Sequence, residues 1–176
     1  MKIILAPVNN RERIRQMRLI HGAVTLIAAN LVKNRSFESP VVAAPCPKGG
    51  MVGLTSTTHW QAAESNQSVD LSGNAPGSMT QEVSTVSGTA YVLGWHTAGN
   101  PDCGSSVKTM NVYWNGVQVD SVEFNTSGHT DSSMGWTYQH INVTATGQTS
   151  SIEFADATSP ASSCGAVLDA VSLKTQ

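Results

Sequence analysis

The fold is decided by the stretch Val112-Tyr113-Trp114-Asn115-Gly116-Val117-Gln118-Val119. β-branched and aromatic residues, which favour strands, stand on both sides of an Asn-Gly pair. A two-residue type I′ turn requires positive φ at both central residues, and Asn-Gly meets that requirement better than almost any other pair. The stretch therefore predicts two adjacent antiparallel strands joined by a tight hairpin.

Similar short runs continue along the rest of the chain, and clusters of Gly, Asn, Pro and Ser separate them. Residues 39–58 are rich in Pro and Gly and are predicted to form a loop. None of the runs has the 3.6-residue period of a helix, and strands without intervening helices indicate an antiparallel sandwich or barrel. The strands are predicted at residues 31–38, 67–71, 78–83, 90–97, 108–114, 117–124, 136–143, 150–154 and 166–173.

The composition suits an extracellular β protein better than a nucleic-acid-binding protein. The 176 residues are the size of one domain that buries its own core. Only 12% of residues are charged, against roughly 25% in an average soluble protein. Five of the ten basic residues fall in the first eighteen positions, so the remainder of the chain has no basic patch to neutralise phosphates.

The amino-terminal segment resembles a secretory signal. A basic stretch is followed by the short apolar run of residues 19–29, which ends in small residues. The run is too short to span a bilayer as a mature helix. We therefore expect residues 1–29 to be a signal-like or tail segment and residues 30–176 to form the sandwich of a secreted or cell-surface protein. The alternative for the segment is an amphipathic helix or a tail attached to the sandwich.

The three cysteines predict a disulfide rather than a zinc site. No Cys-x-x-Cys pair is present. Cys103 and Cys164 each precede a glycine in a turn-like stretch, so these two are the expected pair and Cys46 is left over. The alternative is three buried or reduced thiols.

Several motifs occur in a family-specific order between Asn30 and Leu173. This part of the chain resembles the choice-of-anchor C family, which is similar to plant cell-wall proteins of the domain-of-unknown-function 642 type. The resemblance implies a galactose-binding-like jelly roll, an extracellular location and polysaccharide as the partner. The motifs occupy residues 30–38, 60–64, 68–73, 98–102, 108–110, 134–137 and 164–173.

Two features depart from the family pattern. Arg35 stands where the family usually has glycine, and the segment between the first motif and Trp60 is shortened to residues 39–59. In the family this segment carries another strand, so an edge strand is expected to be missing or rebuilt here.

Binding of sugar by a sandwich requires an exposed aromatic face beside polar groups. Tyr91 and Trp95 lie in an apolar run and are predicted to be core residues. Trp60, which follows a loop and precedes the polar Gln61, is a candidate ligand platform. Trp136, which follows Gly135 at the start of a strand, is the second candidate. For both tryptophans the alternative is packing in the core.

Asn100 and Asp102 are predicted to bond sugar hydroxyls, since they lie in a turn at a strand end, where sandwich loops gather. The alternative is ordinary capping of an Asx turn. Jelly rolls of this type often carry a structural calcium ion between the first and last strands. Glu38 and Asp169 are the natural ligands for such an ion.

The motifs of enzymes are not found. The sequence has no Gly-x-Ser-x-Gly and no His-Glu-x-x-His, and its five histidines lack metal-ligand spacing. A glycosidase would need two facing carboxylates, such as Asp70 with Glu64 or Glu123. The sequence therefore predicts a carbohydrate-binding module without catalysis. The alternative is a structural surface or matrix subunit that self-associates through a sheet edge.

Overall fold

A computed structural model describes residues 17–20, 23–26, 29–38, 53–56, 62–64, 67–73 and 75–176. The chain divides into two compact units, Met1–Asn30 and Leu31–Gln176. In the first unit, β1 (Met17–Ile20) and β2 (Ala23–Leu26) form an antiparallel pair. The helical alternative for this segment is therefore wrong for the residues described.

The second unit is built from two antiparallel sheets. One has four strands in the order β5-β10-β7-β8, and the other has five in the order β3-β4-β11-β6-β9. No helix occurs among the described residues, and so none there could cross a membrane. The predicted all-β antiparallel sandwich is confirmed. Its strands are β3 (Gly53–Ser56), β4 (Gln67–Asp70), β5 (Ser78–Ser84), β6 (Ala90–Gly99), β7 (Val107–Trp114), β8 (Val117–Asn125), β9 (Thr137–Thr144), β10 (Thr149–Asp156) and β11 (Ala166–Thr175).

The predicted hairpin lies where the sequence indicates it. Trp114 of β7 pairs with Val117 of β8. Asn115 and Gly116 have φ values of 52° and 77°, as a type I′ turn requires. The Asn115 side chain also accepts a hydrogen bond from the amide of Ser151, which connects the turn to β10.

Two local predictions are wrong. Residues 31–38 do not form a strand, because Asn34 and Phe37 take φ values of 48° and 56° and the chain turns between them. The loop predicted for residues 39–58 contains β3, which pairs with β4 from Gly53↔Asp70 to Ser56↔Gln67. The edge of the five-stranded sheet next to β4 is therefore occupied.

The core lies between the two sheets and contains the aromatic residues predicted for it. Trp95 is fully buried and meets Phe154 of the opposite sheet edge to face, with ring centroids 5.4 Å apart. Tyr91 is buried too, and its hydroxyl accepts a hydrogen bond from the amide of Val86. Leu93 and Met110 are also buried completely between the strands.

The predicted disulfide is confirmed. Cys103, in the loop after β6, is bonded to Cys164, just before β11, with Cα atoms 5.5 Å apart. The bond links two loops at one end of the sandwich. Cys46 lies outside the described residues.

Candidate functional site

A row of three side chains crosses the outer face of the five-stranded sheet. His96 of β6 lies opposite Tyr138 of β9 and opposite Asp169 of β11. Directly opposed residues of antiparallel strands point to the same side of the sheet. Ile141 and Val143 of β9 pack in or against the core, so Tyr138, which is out of phase with them, faces outward. Its side chain is 54% exposed.

Gly94 allows the tyrosine to lie down on the sheet. A Cβ atom at Gly94 would collide with the Tyr138 hydroxyl oxygen and lie only 3.1 Å from Cζ of the same ring. The end of the ring therefore reaches over the backbone of β6 where no side chain obstructs it. The rest of the side chain keeps more than half of its surface exposed.

Two histidines flank this tyrosine. The ring centroid of His96 is 5.3 Å from that of Tyr138, and the two planes are inclined by 53°. His140, two residues along β9, is 5.8 Å away with an interplanar angle of only 14°. Tyr138 and His140 thus present nearly parallel rings. We call His96, Tyr138 and His140 the tyrosine–histidine platform.

Asp169 forms the border of the platform at β11. A β-bulge follows it, and Ala170 takes a φ value of 51°. Asp169 Oδ2 accepts hydrogen bonds from the amides of Ala63 and Glu64 at 2.9 and 2.8 Å, and Oδ1 accepts one from Ala170 at 2.6 Å. Burial raises the pKa of Asp169 to about 6, although these three bonds act in the opposite direction.

An ion pair lies beside this border. The guanidinium of Arg35 donates two parallel hydrogen bonds to the carboxylate of Glu64, whose amide is bonded to Asp169. Both side chains remain partly exposed to solvent. The arginine that departs from the family pattern therefore has a partner, and the pair provides charged groups on the β11 side of the platform.

The structure describes one of the two tryptophans predicted as ligand platforms. Trp60 and Gln61 lie outside the described residues, so their ligand-binding role stays a prediction. Trp136 is half-buried and packs against a small cluster that includes Phe124 and Met134. This is the packing role left open as the alternative, and ligand binding on the exposed part of Trp136 stays a prediction.

Asn100 and Asp102 lie together at the end of β6, on the disulfide side. Asn100 is only 4% exposed, its Nδ2 donates to Asp70 Oδ2, and its Oδ1 accepts from the amide of Asp102. Both ends of the amide are therefore used within the fold, which is the Asx-turn alternative. The Asp102 side chain is exposed.

The two predicted calcium ligands accept backbone hydrogen bonds. Glu38 Oε1 accepts the amide of Gln67 at 2.7 Å, and both oxygens of Asp169 are engaged as described. Calcium takes six to eight oxygen ligands. In the part of the chain that the structure describes, no group of three or more histidine, cysteine or acidic side chains is placed to hold a metal ion. Calcium binding stays a prediction from the sequence.

The sequence contains a signal for the platform that motif analysis missed. Tyr138 and His140 are two residues apart in a predicted strand. Successive side chains of a strand point to opposite faces, so these two lie on the same face. The position of His96 beside them depends on the register of β6 and β9, which no local pattern gives.

Known proteins place the chain in a family. The model of a family described as "Protein of unknown function (DUF642)" matches residues 48–174. The chain belongs to the DUF642 family. This confirms the resemblance to proteins of the domain-of-unknown-function 642 type. No curated protein matches the chain.

Solved structures of carbohydrate-binding modules share the fold. TmCBM61, solved with β-1,4-galactotriose, has a TM-score of 0.53 and 20% identity over 85% of this chain and 100% of its own. A family 16 module has a TM-score of 0.53 and 21% identity over 82% and 99% of the two chains. A family 35 module from Clostridium thermocellum has a TM-score of 0.52 and 18% identity over 70% and 88%. At these identities the likeness shows the fold alone.

Proposed function

We propose that this protein is a carbohydrate-binding module that holds polysaccharide on the tyrosine–histidine platform. The observation that carries the proposal is the orientation of Tyr138. The hydroxyl end of its ring lies over Gly94, and more than half of the side chain is exposed. A large aromatic side chain that stays this exposed on the outer face contributes little to packing of the core. A pyranose ring offers a complementary flat surface of C–H groups.

The neighbouring groups suit the hydroxyls of a sugar. Imidazole nitrogens donate or accept hydrogen bonds according to tautomer, so the exposed His140 complements either kind of partner. Nδ1 of His96 is buried, so this ring could bond a sugar only through Nε2. The carboxylate of Glu64 and the guanidinium of Arg35 add charged acceptors and donors on the β11 side. The platform is preformed by strand register, so binding requires little ordering of the protein.

The comparisons support the proposal at the level of the fold. Similar sandwiches are carbohydrate-binding modules, but a fold by itself does not determine function, and the site must carry the argument. The disulfide between Cys103 and Cys164 supports the further proposal of a secreted or cell-surface location, because such bonds persist in oxidising compartments.

We propose binding without catalysis. Glycoside hydrolysis needs two carboxylates on opposite sides of the scissile bond. Near the platform, Asp169 is buried beneath backbone amides and Glu64 is paired with Arg35. Of the other sequence candidates, Asp70 is buried at the disulfide end, and Glu123 is exposed on β8 of the four-stranded sheet. These engagements favour a passive binding surface.

The experiment is a pull-down on insoluble cellulose, β-1,4-galactan, xylan and homogalacturonan, together with a glycan array. Tyr138→Ala is compared with the wild type and with Tyr113→Ala, which removes a half-buried tyrosine from the other sheet. We expect Tyr138→Ala to lower affinity about tenfold or more. The apolar ring surface that a sugar would cover contributes ~25 cal/mol per Å², and a loss of about 1.4 kcal/mol lowers affinity tenfold.

Tyr113→Ala should bind like the wild type. Equal retention of wild type and Tyr138→Ala, with both folded by circular dichroism, would contradict the proposal. So would the failure of the wild type to bind any of the polymers or array glycans.

A further inference from the structure

The outer face of the five-stranded sheet is covered at one end. Ala98 lies two residues from His96 along β6, and its cross-strand partner is Val167. Val167 in turn lies two residues from Asp169 along β11. Side chains two positions apart in a strand point to the same face, so Ala98 and Val167 face outward beside the platform. Both are nevertheless fully buried, and another part of the chain must therefore lie over them.

The cover comes from the segment that leads into β9. β9 begins one residue short of the position opposite Ala98. Met134 and Trp136, which precede the strand, belong to one packed apolar cluster with Ala98 and Val167. Met134 is fully buried, whereas Trp136 keeps part of its surface exposed. We call residues 130–136 the Trp136 wall.

The Trp136 wall is held in place by its own contacts. Thr130 and Ser133 exchange two backbone hydrogen bonds of 3.2 and 2.9 Å. Gly135 has a φ value of 68°, which favours glycine, and the ring of His129 occupies the space where a Cβ atom would stand. The same ring packs on Phe124 with centroids 5.3 Å apart. The wall is therefore a fixed border and needs little ordering when a ligand binds.

A second border runs along β11. The amides of residues 63–64 are bonded to Asp169, so this segment lies against the β11 side of the platform. The end away from the Trp136 wall is different, since Asn142 and Lys174, the two cross-strand neighbours of Val92, are both exposed. The platform is thus bordered on two adjacent sides and has the form of a corner.

A corner favours the end of a polymer over its interior. An internal sugar residue is linked on both sides, so a straight chain through the site needs two opposite exits. The Trp136 wall closes one exit of each such path along β9. A terminal residue is linked on one side only, and a concave site covers more of its surface than an open sheet would.

We infer that the platform binds the terminal residue of a polysaccharide chain. The terminal ring lies on Tyr138 with its free end toward the Trp136 wall, and the rest of the chain leaves toward Asn142. The inference rests on the proposed function, because it specifies which part of the ligand the same face selects. It assigns to the wall the exclusion of internal segments.

The test is the number of protein molecules bound per polymer chain, measured by calorimetric titration. The probe is the polymer that retains the protein, as two soluble fractions whose lengths differ about tenfold, with hydroxyethyl cellulose serving for cellulose. Recognition of one chain end predicts one protein per chain for both fractions. Binding to internal segments predicts about tenfold more protein per chain on the long fraction, and this result would overturn the inference.

Trp136→Ala tests the wall directly. Removing the indole opens the end of the face, so this variant should bind several molecules per chain of the long fraction. Thr144→Ala, at the exposed opposite end of β9, is the matched control and should keep one per chain. A folded Trp136→Ala protein that also binds one per chain would contradict the role of the wall. If the variant does not fold, the count for the wild type decides.

The failure of this inference is distinguishable from the failure of the proposed function. If the number bound by the wild type rises with chain length while Tyr138→Ala still lowers binding, terminal recognition alone fails. If Tyr138→Ala leaves polysaccharide binding unchanged, the proposed function itself fails.

Discussion

The outer face at β6 and β9 and the disulfide end of the sandwich use polar side chains in opposite ways. On the outer face, Tyr138 and His140 are exposed. At the disulfide end, Lys108 is only 1% exposed, and its ammonium donates to the carbonyl oxygens of Cys103 and Cys164 at 2.6 and 2.7 Å. Groups that are bonded to each other inside the protein stabilise the fold. Groups presented on a rigid surface are available for a ligand.

Two buried carboxylates complete the network at the disulfide end. Asp70 accepts from Asn100 and from the amide of Ser72, and Asp156 accepts from the hydroxyls of Ser72 and Thr158. Burial raises the pKa of Asp70 and lowers the pKa of Lys108. The negative charges of Asp70 and Asp156 act in the opposite direction on Lys108 and raise its pKa. Every member therefore depends on its neighbours.

The largest expected effect is the loss of stability in Lys108→Met. The change removes the donor to two buried carbonyls and leaves two buried carboxylates without a cation. Each carbonyl oxygen that loses its donor costs about 1–3 kcal/mol, and the attraction of Asp70 and Asp156 for the ammonium is lost as well. Urea denaturation measures the free energy of unfolding. The control is Lys174→Met, which changes an exposed lysine and should leave the free energy of unfolding within about 0.5 kcal/mol of the wild type. A loss below about 1 kcal/mol would show that the network is not structural.

The next largest effect is expected on the outer face, where Gly94→Ala should lower ligand binding and leave stability nearly unchanged. Gly94→Ala places a methyl group where the Tyr138 hydroxyl lies, so the ring must rotate away from the sheet. We expect polysaccharide affinity to fall about tenfold, while the free energy of unfolding changes by less than about 1 kcal/mol. Gly147→Ala is the matched control, because a Cβ there meets its nearest atom at 3.6 Å. Unchanged affinity in Gly94→Ala would mean that the posture of the tyrosine is irrelevant.

The smallest effect is a pH dependence that belongs to the disulfide end. The pKa of Asp70 is raised above 3.8 in the folded state, so between 3.8 and the raised value the native protein holds a proton that the unfolded chain releases. The free energy of unfolding should therefore fall as pH rises through that window. Denaturation of wild type and Asp70→Asn over pH 3–7 measures the difference. A slope that is the same in both proteins would contradict this assignment.

Local signals in the sequence were sufficient for part of the fold. Asn115-Gly116 predicts its hairpin because the turn depends on two residues alone, and Trp95 is predicted to be buried by the apolar run around it. The turn at Asn34–Phe37 was missed because its positive φ values arise where the segment meets distant chain, as in the bond from Val171 to the Arg35 carbonyl. β3 was missed since it pairs as a sheet edge within a Pro- and Gly-rich stretch.

The candidate site was harder to predict than the fold. Asn100 was predicted to bind ligand because turns at strand ends often do, but its burial follows from the partner Asp70, thirty residues away in the sequence. The platform was missed because it depends on the register that sets His96 opposite Tyr138 and on the missing side chain at Gly94. Neither the register nor the direction of a ring is encoded in a local pattern.

The most direct test of the central claim is a map of backbone amide chemical shifts during titration. The probe is the trisaccharide of whichever polymer retains the protein, with ¹⁵N-labelled full chain. We predict that the largest changes occur at Gly94, His96, Tyr138 and His140 on the outer face, while residues 100–104 and 162–165 at the disulfide end stay unchanged. Changes concentrated at the disulfide end, with the platform silent, would contradict the account.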